Sequence, residues 1–399
     1  MIAIKAILTK IMSIVMAILM LIGVDTNVIR KPDSQWKTNY KYVMVHGLMG
    51  WGSYDAANKI APYWGMLSGD MIERLYLEGY DCYAASVSPL GGAWDRACEL
   101  YAQLTGTVVD YGEAHSEEFG HDRYGEDFSG RALISSWSEE DKINLVGHSF
   151  GGATVRLFAS ILEYGCGTET EKSGDSVSDF FKGGKGDMIY SVTTLSAPHN
   201  GTSAYESEVW ADIDETTLSQ VEQALNKVDP TKFIFDFMVG LSCGPDGEIK
   251  PDTTHYDLRI DNATALNKTI KTVPSIYYFS YATQVTSEDE RGYHIPDYTK
   301  TEPLFATRSE GIGKTMFTTP GGTVVDEKWL SNDGLVNTYS ALAPFDEPQQ
   351  EYNPDSVTKG VWNIMPIVYG DHTYFMGDIL RAKDITDFYT EAYSMINML

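Results

Sequence analysis

The chain predicts an α/β fold, a mostly parallel sheet with helices on both faces, and three observations carry that expectation. Short apolar or β-branched runs recur at 41–46, 81–87, 142–147, 188–196, 274–282 and 361–369, each the length of a buried strand and separated by stretches of helical period. A Gly-rich turn, Gly147-His148-Ser149-Phe150-Gly151, joins the strand-like 142–146 to the helix-like 152–164, which Gly165 stops. No internal repeat or second composition block divides the 399 residues, a length that suits one large domain with insertions.

Taken in order, residues 1–24 carry Lys5 and Lys10, then an apolar run over 11–24, then Asp25-Thr26-Asn27. That pattern predicts a signal peptide, since the apolar core is short for a spanning helix. No small-x-small cleavage site is evident, so an uncleaved N-terminal anchor stays as the alternative. Residues 25–399 are then expected to form the single catalytic domain. Tyr42-Val43-Met44-Val45 reads as an early strand ending in His46-Gly47. The stretch 169–187 is acidic and rich in Gly and Ser, and reads as a flexible surface loop. Within 215–228, Leu218, Val221, Leu225 and Val228 share one helical face, and the apolar run 233–241 with Phe233, Phe235, Phe237 and Met238 follows. Two readings are open there, a core-packing helix with its connector or a mobile cover over an acyl site.

G-x-S-x-G between strand and helix is the nucleophile elbow of the α/β-hydrolases, in which the serine takes a strained conformation and its neighbours two positions away are small. The fold then requires an acid followed by a histidine later in the chain. Of the eight histidines, His199, His255, His294 and His372 follow Ser149. His199 comes before any acid-bearing strand, whereas His372 follows the last apolar run. The acid is expected in Ser331-Asn332-Asp333-Gly334, with Asp326, Asp297 and Asp371 as rivals to Asp333. The backbone amides of Leu48, after the His-Gly strand end, and of Phe150, after the serine, are the expected oxyanion donors. His46 reads as a packed, hydrogen-bonded histidine rather than a base. His115 and His121 lie six positions apart in a Gly- and charge-rich segment, a pattern more common for surface histidines than for metal ligands.

Val45-His46-Gly47, Gly50-Trp51-Gly52, Tyr63-Trp64-Gly65, the block from Trp94-Asp95-Arg96-Ala97 to Gln103, His115 with Gly120-His121, Tyr256-Asp257-Leu258, Asn332-Asp333-Gly334 and Gly360-Val361-Trp362-Asn363 form a connected set of motifs. In these the chain resembles the zinc-containing bacterial lipases of the thermophilic bacillus and staphylococcal group, over nearly its whole length after residue 40. The resemblance implies Ser149, Asp333 and His372 as the triad, in agreement with the order argument. It also implies a Zn²⁺ held by Asp95, His115, His121 and Asp252, with His255 as a non-ligating neighbour. Four protein ligands leave no open position, which describes a structural zinc. It would pin an insertion over about 90–136 to the 250s, with the lid region over about 200–258.

The chain departs from that family at Gly147, where the lipases carry Ala, at Phe150 for Gln and at Leu48 for Phe. Tyr374 stands where the family's calcium site has an acidic residue, and no Asp-Pro follows, so calcium is not expected. The 200–250 segment is shorter than in the family. A hydrophobic content of 43%, with 25 Tyr, 15 Phe and 8 Trp, is enough for a large core. The formal net charge of −26 argues against nucleic acid and anionic membrane surfaces and for a neutral substrate, which the resemblance implies is an ester or lipid met through transient lipid-interface contact. Cys82, Cys98, Cys166 and Cys243 show no disulfide framework. The expected activity is that of a secreted carboxylic ester hydrolase, a lipase. Its rivals are an open-site esterase or polyester hydrolase, an acyltransferase, and an inactive zinc-stabilised lipid-binding protein.

Overall fold

A computed structural model of the chain describes residues 36–206, 209 and 239–399. The proposed signal segment, the helical face of Leu218, Val221, Leu225 and Val228, and the Phe233, Phe235, Phe237 and Met238 run lie outside the described residues.

Among the described residues, seven strands form one parallel sheet. They are β1 (Lys41–Val45), β2 (Cys82–Ala85), β3 (Ile143–His148), β4 (Ile189–Leu195), β5 (Tyr277–Tyr281), β6 (Gln349–Glu351) and β7 (Trp362–Ile364), in the spatial order β6-β7-β5-β4-β3-β1-β2. Every neighbouring pair runs parallel. Side chains alternate between faces, so β1 sends Val43 and Val45 into one core cluster and Tyr42 and Met44 into the other. Helices α2 (Ala93–Thr105) and α4 (Gly151–Tyr164) supply Ala97, Leu100, Val155 and Phe158 to the first cluster. The second receives Met71, Ile72 and Leu75 from α1 (Met71–Leu77) and Tyr389, Tyr393 and Ile396 from α6 (Thr386–Asn397). Both faces are buried, which is why the central strands read as continuous apolar runs.

Three expectations change in detail. The run 361–369 is not one strand: β7 stops at Ile364, and Val368–Tyr369 pairs separately with Thr283–Gln284, because Pro366 has no amide to give to a ladder. β6 lies outside the predicted runs because Gln-Gln-Glu on a solvated sheet edge carries no apolar signal. The stretch 169–187 is not a loose loop: α5 (Gly167–Ser173) and three short 3₁₀ turns fold it down, with Phe180 and Phe181 buried against α4 and Trp94. Two aromatic anchors outweigh the polar composition around them.

Two features aim the sheet at a site. The C-terminal ends of β1, β3, β4 and β5 lie side by side at the crest, where the polypeptide turns into loops. The N-terminal end of α2 is tied to the 250s by a Gly91–Thr253 bridge, by Thr254 N–H donating to the Leu90 carbonyl and by Gly92 N–H donating to the Asp252 carbonyl. No described helix is long and apolar enough to cross a membrane. All four cysteines are free thiols.

Candidate active site and metal cluster

Ser149 follows the last residue of β3 and has φ of +54°, in the left-handed region that a β-carbon disfavours. The turn has no room for larger flanking residues: a Cβ on Gly151 would lie 2.2 Å from the Val45 carbonyl oxygen. Ser149 N–H donates to the Leu195 carbonyl, which fixes the elbow against the end of β4. The side chain is nearly enclosed, 8% exposed.

His372 Nε2 lies 2.8 Å from Ser149 Oγ and His372 Nδ1 lies 2.9 Å from Asp333 Oδ2. The backbone supports the pair, since His372 N–H donates to the Asp333 carbonyl at 2.8 Å. Asp333 sits in a tight loop closed by an Asn332–Asn337 bridge and is fully buried. Its Oδ1 accepts from the Leu335 and Val336 amides and its Oδ2 also accepts from the Thr283 hydroxyl at 2.7 Å. Burial alone would raise this carboxyl, but the charge and hydrogen bond of His372, the Thr283 hydroxyl and the Val336 amide outweigh it and hold the group below its ordinary range. Asp333 therefore remains an anion beside the imidazole.

The rivals are engaged elsewhere. Asp326 caps the 3₁₀ turn Glu327–Trp329, and Asp297 accepts from Thr299. Asp371 accepts from the Glu302 and Thr373 amides and faces Arg381, which also meets Asp378 and Glu302. This acidic group next to His372 is thus turned to a guanidinium. His199 is buried with Nε2 3.0 Å from the Thr194 hydroxyl, and burial followed by Arg156 pushes its pKa well below the usual value. His255 pairs Nδ1 with Ser242 Oγ at 2.8 Å and stands outside the metal cluster. His294 lies in a short hairpin strand, His294–Pro296.

The strand end that precedes Leu48 packs directly on the serine, and a Cβ on Gly47 would be 2.7 Å from Ser149 Cβ. The Gly47 carbonyl, part of the same peptide group as the Leu48 N–H, accepts from His46 Nδ1 at 2.8 Å. The wholly buried guanidinium of Arg96 donates to the carbonyls of His46 and Ser88 and to Thr154 Oγ1, and its plane lies 5.3 Å from the Phe150 ring. The Leu48 and Phe150 amides are not among the donors of the turn and loop hydrogen bonds of the described residues. Burial and then Arg96 push His46 down to about 3, which keeps it neutral. Arg96, Thr283 and the carboxylate of Glu169 described below were not legible in the chain, because each acts through a contact made by folding.

Asp95, His115, His121 and Asp252 converge, and one ligand atom from each lies within 4.8 Å of all the others. His115 Nε2 is 3.2 Å from Asp95 Oδ1 and 3.3 Å from Asp252 Oδ2. His121 directs Nδ1 to the Asp122 carbonyl at 2.9 Å, which leaves a buried Nε2 without a hydrogen-bond partner facing the two carboxylates. An N₂O₂ set with an orphaned imidazole nitrogen fits a divalent metal of the zinc type. Burial opposes charge on His115, but its hydrogen bonds to Asp252 and Asp95 and their charges push it up to about 9, so the cluster favours a cation at its centre. Outer contacts set the ligands: Trp94 stacks on the His115 ring at 5.0 Å, and buried Glu169 accepts from the Ala114 and His115 amides in α3 (Glu113–Phe119). Asp252 itself has φ of +58°.

Residues 38–234 and 248–397 match the family model described as "Lipase-like, C-terminal domain". The lipase of Staphylococcus hyicus is 33% identical over 392 residues, covering 90% of this chain and 58% of that protein. The chain spans little more than half the length of the curated relatives it matches. Among solved structures, EstA from Clostridium botulinum superposes with a TM-score of 0.76 at 29% identity, covering 97% of this chain and 98% of that one. The crystal structure of Staphylococcus hyicus lipase gives 0.74 at 30% identity, covering 93% and 99%. With its parallel sheet, strained serine turn and this breadth of similarity, the chain belongs to the family of lipase-like C-terminal domains.

Proposed function

We propose that the protein is a serine carboxylic ester hydrolase, a lipase, in which Ser149, His372 and Asp333 form the triad and the Leu48 and Phe150 amides the oxyanion hole. The observation that carries this reading is the single imidazole of His372 hydrogen-bonded to Ser149 on one side and Asp333 on the other. Ser149 Oγ attacks the ester carbonyl carbon while its proton passes to His372 Nε2, and the carbonyl oxygen becomes an alkoxide held by the two amides. Collapse breaks the bond to the alcohol, which leaves with the proton from His372. Water then attacks the acyl-enzyme, gives its proton to His372, and the acid departs as Ser149 is reprotonated. Asp333 orients the imidazole and stabilises its cation.

In this reading Asp95, His115, His121 and Asp252 would hold one structural Zn²⁺. Bound there, it would cross-link the start of α2, α3 with its following turn, and the 250s. Calcium is not part of the proposal. Residues 1–24 act as a signal peptide, so the enzyme works outside the cell on neutral esters. The shortened 200–250 segment favours a second reading, an open-site esterase that also accepts polyester chains. An organophosphonate that labels Ser149 alone, together with loss of p-nitrophenyl ester hydrolysis in Ser149→Ala, supports the mechanism. Labelling of another serine, or an active Ala variant, removes it.

A further inference from the structure

We infer that the Tyr63 hydroxyl and the His148 imidazole form a positioning relay that locks the oxyanion loop to the loop carrying His372. Gly47 N–H donates to Tyr63 Oη at 3.0 Å, Tyr63 O–H donates to His148 Nδ1 at 2.6 Å, and His148 Nε2–H donates to the His372 carbonyl at 2.9 Å. The directions are mutually consistent. The phenol has one proton, so its bond to Nδ1 leaves Nε2 as the protonated nitrogen, as the His372 carbonyl requires. Burial first, then the neighbouring charge of His372, push His148 down to about 3, so the relay stays in its neutral form across the working pH range.

One phenol thereby joins three separate pieces of the site: the end of β1, the residue before Ser149, and the final loop. The ring of Tyr63 is held independently by edge-on contacts with Trp51 at 5.6 Å and Trp64 at 5.2 Å, so the hydroxyl is placed by packing as well as by its bonds. Gly47 lies against Ser149, so any drift of its amide carries the Leu48 N–H with it. At the far end, the relay restrains the backbone of the residue whose ring must take up and return a proton. Neither Tyr63 nor His148 touches the reacting atoms; both act through the peptides they hold. The inference rests on the triad reading.

The test compares kcat per phosphonate-titrated site, KM and melting temperature on a soluble p-nitrophenyl ester. Tyr63→Phe keeps the ring contacts and leaves the Gly47 amide and His148 Nδ1 unpaired, so kcat should fall about 10- to 100-fold with KM nearly unchanged. His148→Gln retains an acceptor and a donor and should keep much more activity than His148→Leu. The Tyr63→Phe/His148→Leu double variant should be no worse than His148→Leu alone. A purely structural role would lower melting temperature and titratable sites while sparing kcat per site, and that result overturns the relay. Equal activity of the Gln and Leu variants, or additive losses in the double variant, also overturns it, and the Gln–Leu comparison decides even where Tyr63→Phe fails to fold. Ser149→Ala in parallel separates the two ideas: an inactive Ala variant beside an unaffected Tyr63→Phe sinks the relay alone, whereas an active Ala variant sinks the triad reading and the relay with it.

Discussion

At the scale of the residue, the chemistry depends on strain and on charge kept in place. Ser149 holds a left-handed backbone conformation that costs of order 1–3 kcal/mol, and the Gly151 close approach and the Leu195 hydrogen bond leave it no alternative. Ser149→Ala should abolish ester hydrolysis while keeping the melting temperature close to that of the parent. His372→Ala should be nearly as damaging, because the members act as a unit. Asp333→Asn should cut kcat by a factor on the order of 10³–10⁴ through loss of imidazole orientation. If Asp326→Asn or Asp371→Asn proves more damaging in the same assay, the acid is misassigned. Asp333 also links stability to pH. Its folded-state pKa lies below the unfolded value, so its contribution is present above the unfolded pKa and is lost as pH falls through the folded one. Acid denaturation monitored by circular dichroism should therefore have a component below about pH 4 that Asp333→Asn removes. An unchanged acid transition in that variant would contradict the linkage.

At the scale of the element, the candidate metal cluster and the proposed oxyanion loop meet in α2. Asp95 points to the cluster while Arg96, its neighbour, holds the His46 carbonyl beneath the oxyanion loop. The helix can bear both because consecutive positions point in directions about a quarter-turn apart. A metal that binds the folded chain and not the unfolded one stabilises it by mass action. Replacing both His115 and His121 with Ala should lower the melting temperature by about 5–10 °C, with a smaller loss of room-temperature turnover. One zinc per chain should copurify, measured by plasma emission. A metal-free protein with an unchanged melting temperature would remove the site, and lost activity without lost stability would point to a catalytic ion instead.

At the scale of the whole molecule, the parallel sheet gathers the loops after β1, β3, β4 and β5 along the C-terminal ends of these strands, and under the proposed function the substrate range depends on what covers them. If the shorter 200–250 segment is the cover and not a core-packing helix, short- and medium-chain p-nitrophenyl esters should react without an oil–water interface. Weak interfacial activation and measurable monomer release from a polyester film are the expected results. Strong activation above the solubility limit of a triglyceride, with no polyester release, would mean that the segment works as a full lid.

The strand–turn–helix around Ser149 and the outline of the sheet were legible in the chain because they are local, with period and glycine spacing written in consecutive residues, whereas the expected order of serine, acid and histidine came from the rule that the elbow's fold sets along the chain. His115, His121, Asp95 and Asp252 came through resemblance rather than spacing, since ligands 157 residues apart leave no mark on each other. Only the tertiary structure decided that Thr283 joins Asp333, that Tyr63 meets His148, that Arg96 holds the His46 carbonyl and that Phe180 and Phe181 pin down an acidic segment. Each of those depends on where distant stretches meet when the sheet closes, and a buried polar group acquires its role from the partner that folding brings to it.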